Sequence, residues 1–100
     1  MIRRKEQPVI DAALAFLRES GLETPLLRYR LVQAWPEVVG APFSQTSVAL
    51  EIRDDQLWVS VTTPAQITEL QMRRTDLVRR LNERVGAPVI KDIRFVCHPQ

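Results

Sequence analysis

Histidine and cysteine are almost missing from this chain, which holds one of each, His98 and Cys97, side by side near its end. A single cysteine excludes an internal disulfide framework and fits a reducing cytoplasm. One histidine beside one cysteine cannot build a zinc site, which takes four ligands, usually at wider spacing. Glycine is scarce as well. Gly21, Gly40 and Gly86 each stand where an apolar helical pattern ends, so no glycine-rich phosphate loop exists. No apolar run approaches the roughly 20 residues of a membrane-spanning helix. The N-terminal MIRRKEQPVIDAALAF has the basic-then-apolar order of a secretion signal. Asp11 interrupts it, however, and Arg18-Glu19 closes it with no small-residue cleavage site, so an amphipathic helix fits better. Asp54-Asp55 lies between two alternating runs, where adjacent acids are usually solvated turn formers rather than a carboxylate pair. The sequence therefore predicts no catalytic residues, no metal site, no cofactor, no small-molecule substrate and no membrane contact.

What is present describes one small domain. With 100 residues, 45% hydrophobic and 26% charged, the chain can bury one core but not a core plus a deep catalytic cavity. Twelve of its fourteen basic residues are arginine and the net charge is +2, with a sequence pI near 9.2. That balance permits a nucleic-acid partner without demanding one.

Residues 1–7 are polar and read as a flexible N-terminus, residues 8–97 as a single domain, and residues 98–100 as a tail. From Pro8, Ile10, Ala13, Leu14 and Leu17 share a helical face, with Phe16 at its border and a stop at Ser20-Gly21. Thr24-Pro25 reads as N-cap and first-turn proline of a second helix, whose buried face is Leu27, Leu31, Ala34 and Trp35. Pro36 should end it, leaving Pro36–Val39 as a separate turn closed by Gly40 and Ala41–Gln45 as a connector. The period then becomes two. Val48, Leu50 and Ile52 alternate with polar or small residues, and after the acidic turn so do Leu57, Val59 and Val61, which predicts an antiparallel hairpin. Thr63-Pro64 opens one long helix with the stripe Ile67, Leu70, Leu77, Val78, Leu81 and Val85, and 89–97 reads as a third strand. The order helix, helix, strand, strand, helix, strand is α+β, with helices on one face of a three-stranded sheet. The tetrapeptide VGAP recurs at 39–42 and 85–88 without any surrounding match, which makes it coincidence rather than repeat.

At about 100° per residue, Arg73, Arg80 and Arg84 lie along one edge of the long helix. They fit phosphate contacts, or a solvated face of ion pairs such as Glu69–Arg73, Asp76–Arg80 and Asp76–Arg79. Arg74 falls within the apolar stripe. It needs a carboxylate partner such as Glu37 or Glu51, or an exposed head on a buried stem; failing both, it marks a binding groove. Tyr29 between Arg28 and Arg30 is a basic–aromatic cluster. Trp58 occupies the polar phase of its strand, where it either stacks on a base or packs over the sheet edge or against the N-terminal helices. Trp35 shares the phase of Leu27 and Leu31 and reads as a core plug, a structural residue together with Gly40 and Arg74.

The segments LRYRLVQAWPEVVG, DDQLWVSVTTPA and TELQMRRTDLVRRLNERVGAPVIKDIRFV, in this order, resemble the DciA-like family over roughly residues 8–96. The resemblance implies a fold like a K-homology domain, binding of single-stranded or structured nucleic acid, DNA or RNA, and contact with the bacterial replicative helicase. On that reading Arg28, Arg30, Arg73, Arg80 and Arg84 serve phosphates, and Tyr29 and Trp58 serve bases. Two departures qualify it. No G-x-x-G clamp of typical K-homology domains is present, and the sequence ends at Gln100 without the basic extension of longer family members.

Overall fold

The computed structural model describes residues 8–98, leaving aside the side chains of residues 8–10, 14 and 17. The expected flexible N-terminus and the last two tail residues lie outside that range. So do the side chains of Ile10, Leu14 and Leu17. Helix α1 (Pro8–Ser20) stops at Gly21 and packs on α2 (Glu23–Val39), with Phe16 exposed.

Helix α2 departs from expectation at both ends. It starts one residue before Thr24, after Leu22, with no side-chain cap. Pro25 is harmless there, because the first four amides of a helix have no intrahelical acceptor anyway. At the other end the helix runs through Pro36 to Val39 rather than breaking. Trp35, Val38 and Val39 are buried on either side of the exposed proline, and that burial outweighs one missing ladder bond. Gly40, at φ 71°, then releases the chain and donates its amide to the Pro36 carbonyl at 3.0 Å. The expected connector contains a short helix, α3 (Phe43–Thr46), that buries Phe43.

Strands β1 (Ser47–Arg53) and β2 (Gln56–Val61) form the antiparallel hairpin, and β3 (Asp92–Cys97) lies parallel to β2, giving the order β1-β2-β3. In β2 the buried phase is Leu57, Val59 and Val61, as the alternation predicts. In β1 the phase is opposite to expectation over its first half. Ser47 is buried and Ala49 half-buried, while Val48 is 61% exposed and Leu50 49%. An irregularity between Ala49 and Glu51 then shifts the register, returning Ile52 to the inner side. A bulge of this kind inserts one unpaired residue and flips every side chain beyond it.

Thr63 caps the next helix by accepting the Gln66 amide at 3.3 Å, with Pro64 at the first turn. The single long helix is in fact two, α4 (Pro64–Met72) and α5 (Arg74–Val85), separated at Arg73, whose φ of −102° and ψ of 3° leave the helical well. The break lets α4 lie on β2 and β3 while α5 turns to pack on α2 and β3. Leu70, Leu77 and Leu81 from the expected stripe are buried. Gly86 ends α5 in the left-handed region. Asn82 ties the following loop: its side-chain oxygen accepts the amides of Val89 and Ile90 at 3.0 and 3.1 Å, and its amide donates to the Ile90 carbonyl. The core lies between the helices and the inner sheet face. This is α+β with a three-stranded mixed sheet and helices on one side, compatible with a K-homology-like arrangement.

Candidate nucleic-acid interface

The two tryptophans have separate environments. Trp35 is fully buried, tilted against Phe95 at 6.4 Å between ring centroids. Its indole N–H donates to Ser47 Oγ at 2.9 Å, and Ser47 in turn donates to the Phe43 carbonyl at 2.5 Å. This chain of bonds explains why a serine holds a core position in β1. No face of Trp35 is open to a ligand.

Trp58 projects from the central strand onto the other side of the sheet. The register places Val48, Glu51 and Arg53 of β1, Gln56 and Ser60 of β2, and Asp92, Arg94 and Val96 of β3 on that same side. None of these side chains is buried, so this face is open. Two guanidiniums lie over the indole, Arg53 from β1 at 4.7 Å and Arg94 from β3 at 5.2 Å from the ring centroid. Arg53 also bonds Glu51 at 2.9 Å; that hydrogen bond, with the Glu51 charge, raises the Arg53 pKa above its ordinary value. The Trp58 indole N–H is covered and has no acceptor among the described residues. A buried donor left unsatisfied costs about 1–3 kcal/mol.

Arg53 and Arg94 were not among the residues singled out from sequence. Alternation with Ile93 and Phe95 already turns Arg94 outward. Its place beside Trp58, however, depends on β3 pairing with β2, and that of Arg53 on the bulge in β1.

The helix side gathers four of the expected residues. Tyr29, Arg30, Gln33, Glu37 and Arg84 line a shallow groove of about 230 Å³ between α2 and α5, and an adjoining depression adds Arg80 and Glu83. Tyr29 is 63% exposed. Most of the charge here is already matched. Arg84 pairs with Glu37, Arg80 with Asp76 at 3.8 Å, and Arg79 with Asp76 and Glu83 at 2.5 and 2.6 Å. The hydrogen bond to Asp76, then the charges of Glu83 and Asp76, raise the Arg79 pKa above its ordinary value. Arg30 has no side-chain partner among the described residues.

The remaining candidates lie apart. Arg28 donates to the Asp54 carbonyl at 2.9 Å, at the hairpin turn. Arg73 sits over the Phe43 ring at 5.3 Å and pairs with Glu69 at 3.5 Å. Arg74 is not embedded in an apolar stripe: the break at Arg73 makes it the first residue of α5, exposed and paired with Asp92 at 3.2 Å, with Gln71 accepting a further bond. Glu37 and Glu51, the partners expected for it, belong to Arg84 and Arg53. Cys97 and His98 are both exposed, and the described residues contain no cluster that could hold a metal.

The family described as Dna[CI] antecedent, DciA, matches residues 8–95. The chain belongs to the DciA family. Relatives include UPF0232 proteins of Streptomyces coelicolor (32% identical over 82 residues), Streptomyces avermitilis (31% over 77) and Corynebacterium glutamicum (30% over 61). These alignments cover 80%, 75% and 61% of this chain and 43%, 42% and 34% of the respective relatives. The chain thus spans less than half the length of the curated relatives it matches. The DciA match takes in both the open sheet face, through Arg94, and the groove between α2 and α5.

Proposed function

We propose that this DciA-family domain is a non-enzymatic, cytoplasmic binder of single-stranded DNA or RNA that works with a bacterial replicative helicase. The observation that carries the reading is the open sheet face with Trp58 between Arg53 and Arg94. Single-strand binding combines an aromatic stacking surface with cations that track phosphates, and this face offers both. Tyr29 offers an exposed ring on the helix side, apart from the half-buried Trp58. Arg28, Arg30, Arg73, Arg80 and Arg84 contribute a diffuse field rather than a continuous phosphate track, because all but Arg30 already meet a carbonyl or a carboxylate. Affinity is accordingly weak. The helicase link rests on family membership alone. Titration of a labelled single-stranded oligonucleotide at two salt concentrations tests the reading. Binding should be detectable at low salt and fall steeply as salt rises; no binding at low salt removes it.

The groove between α2 and α5 favours a second reading, a protein-interaction adaptor that never touches nucleic acid. Its internally neutralised charges suit a protein surface, and exposed Tyr29 and Arg30, which has no side-chain partner among the described residues, are residue types enriched at interfaces. Under that reading Tyr29→Ala with Arg30→Glu abolishes helicase capture, while no oligonucleotide binds either form.

A further inference from the structure

We infer that Arg94 is a displaceable cover over a base-stacking site on Trp58, whose ligand is an unpaired nucleotide that takes the guanidinium's place on the indole. The inference rests on the nucleic-acid reading and adds which group moves and what it then does. The two arginines over Trp58 are not equivalent. Arg53 is tethered, its guanidinium bonded to the Glu51 carboxylate at 2.9 Å while it lies over the ring. The Arg94 side chain makes no hydrogen bond or ion pair among the described residues. Among the described residues, its contact with the indole face is the interaction that holds it.

The unliganded site is imperfectly satisfied. The indole N–H is shielded, yet the described residues offer it no acceptor. A nucleotide supplies what is missing. Its base replaces Arg94 as the cover of the apolar ring, and a phosphate oxygen reaching the ring edge, in the plane of the indole, gives the N–H an acceptor. The displaced guanidinium, still beside the site, forms a charge-assisted bond to the phosphate. Arg53 remains as the fixed backing of the ring. Val48, Ser60 and Val96 form an uncharged row across the three strands, next to the row that holds Trp58, and give a neighbouring base a bed without repulsion. A duplex, whose bases are stacked and paired, has no free face to offer.

The test uses the full chain at low salt, with oligothymidylate and an abasic strand of equal length and phosphate number. Trp58 emission is taken as the difference from Trp58→Phe. Oligothymidylate should quench Trp58 and bind about tenfold or more tightly than the abasic strand. Trp58→Leu should lose that preference, and Trp58→Phe, which keeps a ring, should retain most of it. Arg94→Ala, at an exposed position of β3, should weaken oligothymidylate through the lost phosphate contact, change the abasic strand less, and still allow oligothymidylate to quench Trp58. Equal binding of the two strands overturns the inference and spares the nucleic-acid reading, as does loss of quenching in Arg94→Ala. Binding of neither strand overturns both.

Discussion

Trp35 and Trp58 are the same side chain put to opposite uses, and their neighbours decide which. Trp35 has its N–H satisfied by Ser47 and its ring enclosed; Trp58 has guanidiniums over its ring and an N–H without an acceptor among the described residues. Removing the first is therefore a stability experiment. Trp35→Ala should cost about 3–5 kcal/mol, as for other large aromatics truncated in a core, measured by urea unfolding. A loss under about 1 kcal/mol would mean that the ring is not the plug between α2 and β1. The phase of Trp35 with Leu31 was readable from sequence, whereas its hydrogen bond was not, because the acceptor sits twelve residues away in another element. Arg74 teaches the converse. Helical periodicity placed it in the apolar stripe, and a break one residue earlier moves it to an exposed helix start beside Asp92.

Among the elements, β1 and the α4–α5 pair show where pattern reading stops. Val48, Leu50 and Ile52 alternate in sequence, but the bulge after Ala49 puts the first two outside and the third inside. Val48→Thr should then change stability by no more than about 0.5 kcal/mol, while Val59→Ala, on the fully buried side of β2, should cost about 1–3 kcal/mol by the same unfolding measurement. Equal costs would place Val48 in the core and remove the bulge from the argument. Nothing at Met72-Arg73-Arg74 marks a helix end, since neither glycine nor proline stands there. The break arises because α4 and α5 must cover different neighbours. Pro36 errs the other way: a strong local breaker is overruled because Trp35, Val38 and Val39 are buried around it.

At the scale of the whole molecule, the two candidate surfaces sit on different sides of the fold. The open sheet face holds beside Trp58 an arginine that makes no ion pair among the described residues, and the helix side holds a lattice of exposed ion pairs. Salt should separate these roles. Exposed pairs contribute little to stability and are screened with small effect, so raising salt from about 50 to 200 mM should leave the thermal midpoint nearly unchanged. Over the same range, oligonucleotide affinity should fall several-fold or more. A midpoint that drops in parallel with affinity would show that binding is lost through unfolding.

The sequence by itself determined the α+β order, the hairpin with its acidic turn, the cap at Thr63-Pro64, the buried phase of β2 and the DciA resemblance. All of these are local signals, set by periodicity and by residues a few positions apart. Only the tertiary structure decided the phase of β1, the break at Arg73 and the partner of Arg74. It alone brought Arg53 and Arg94 onto Trp58 from two other strands. Those outcomes depend on which surfaces compete for burial and on pairing between distant segments, and no window of neighbouring residues contains that information.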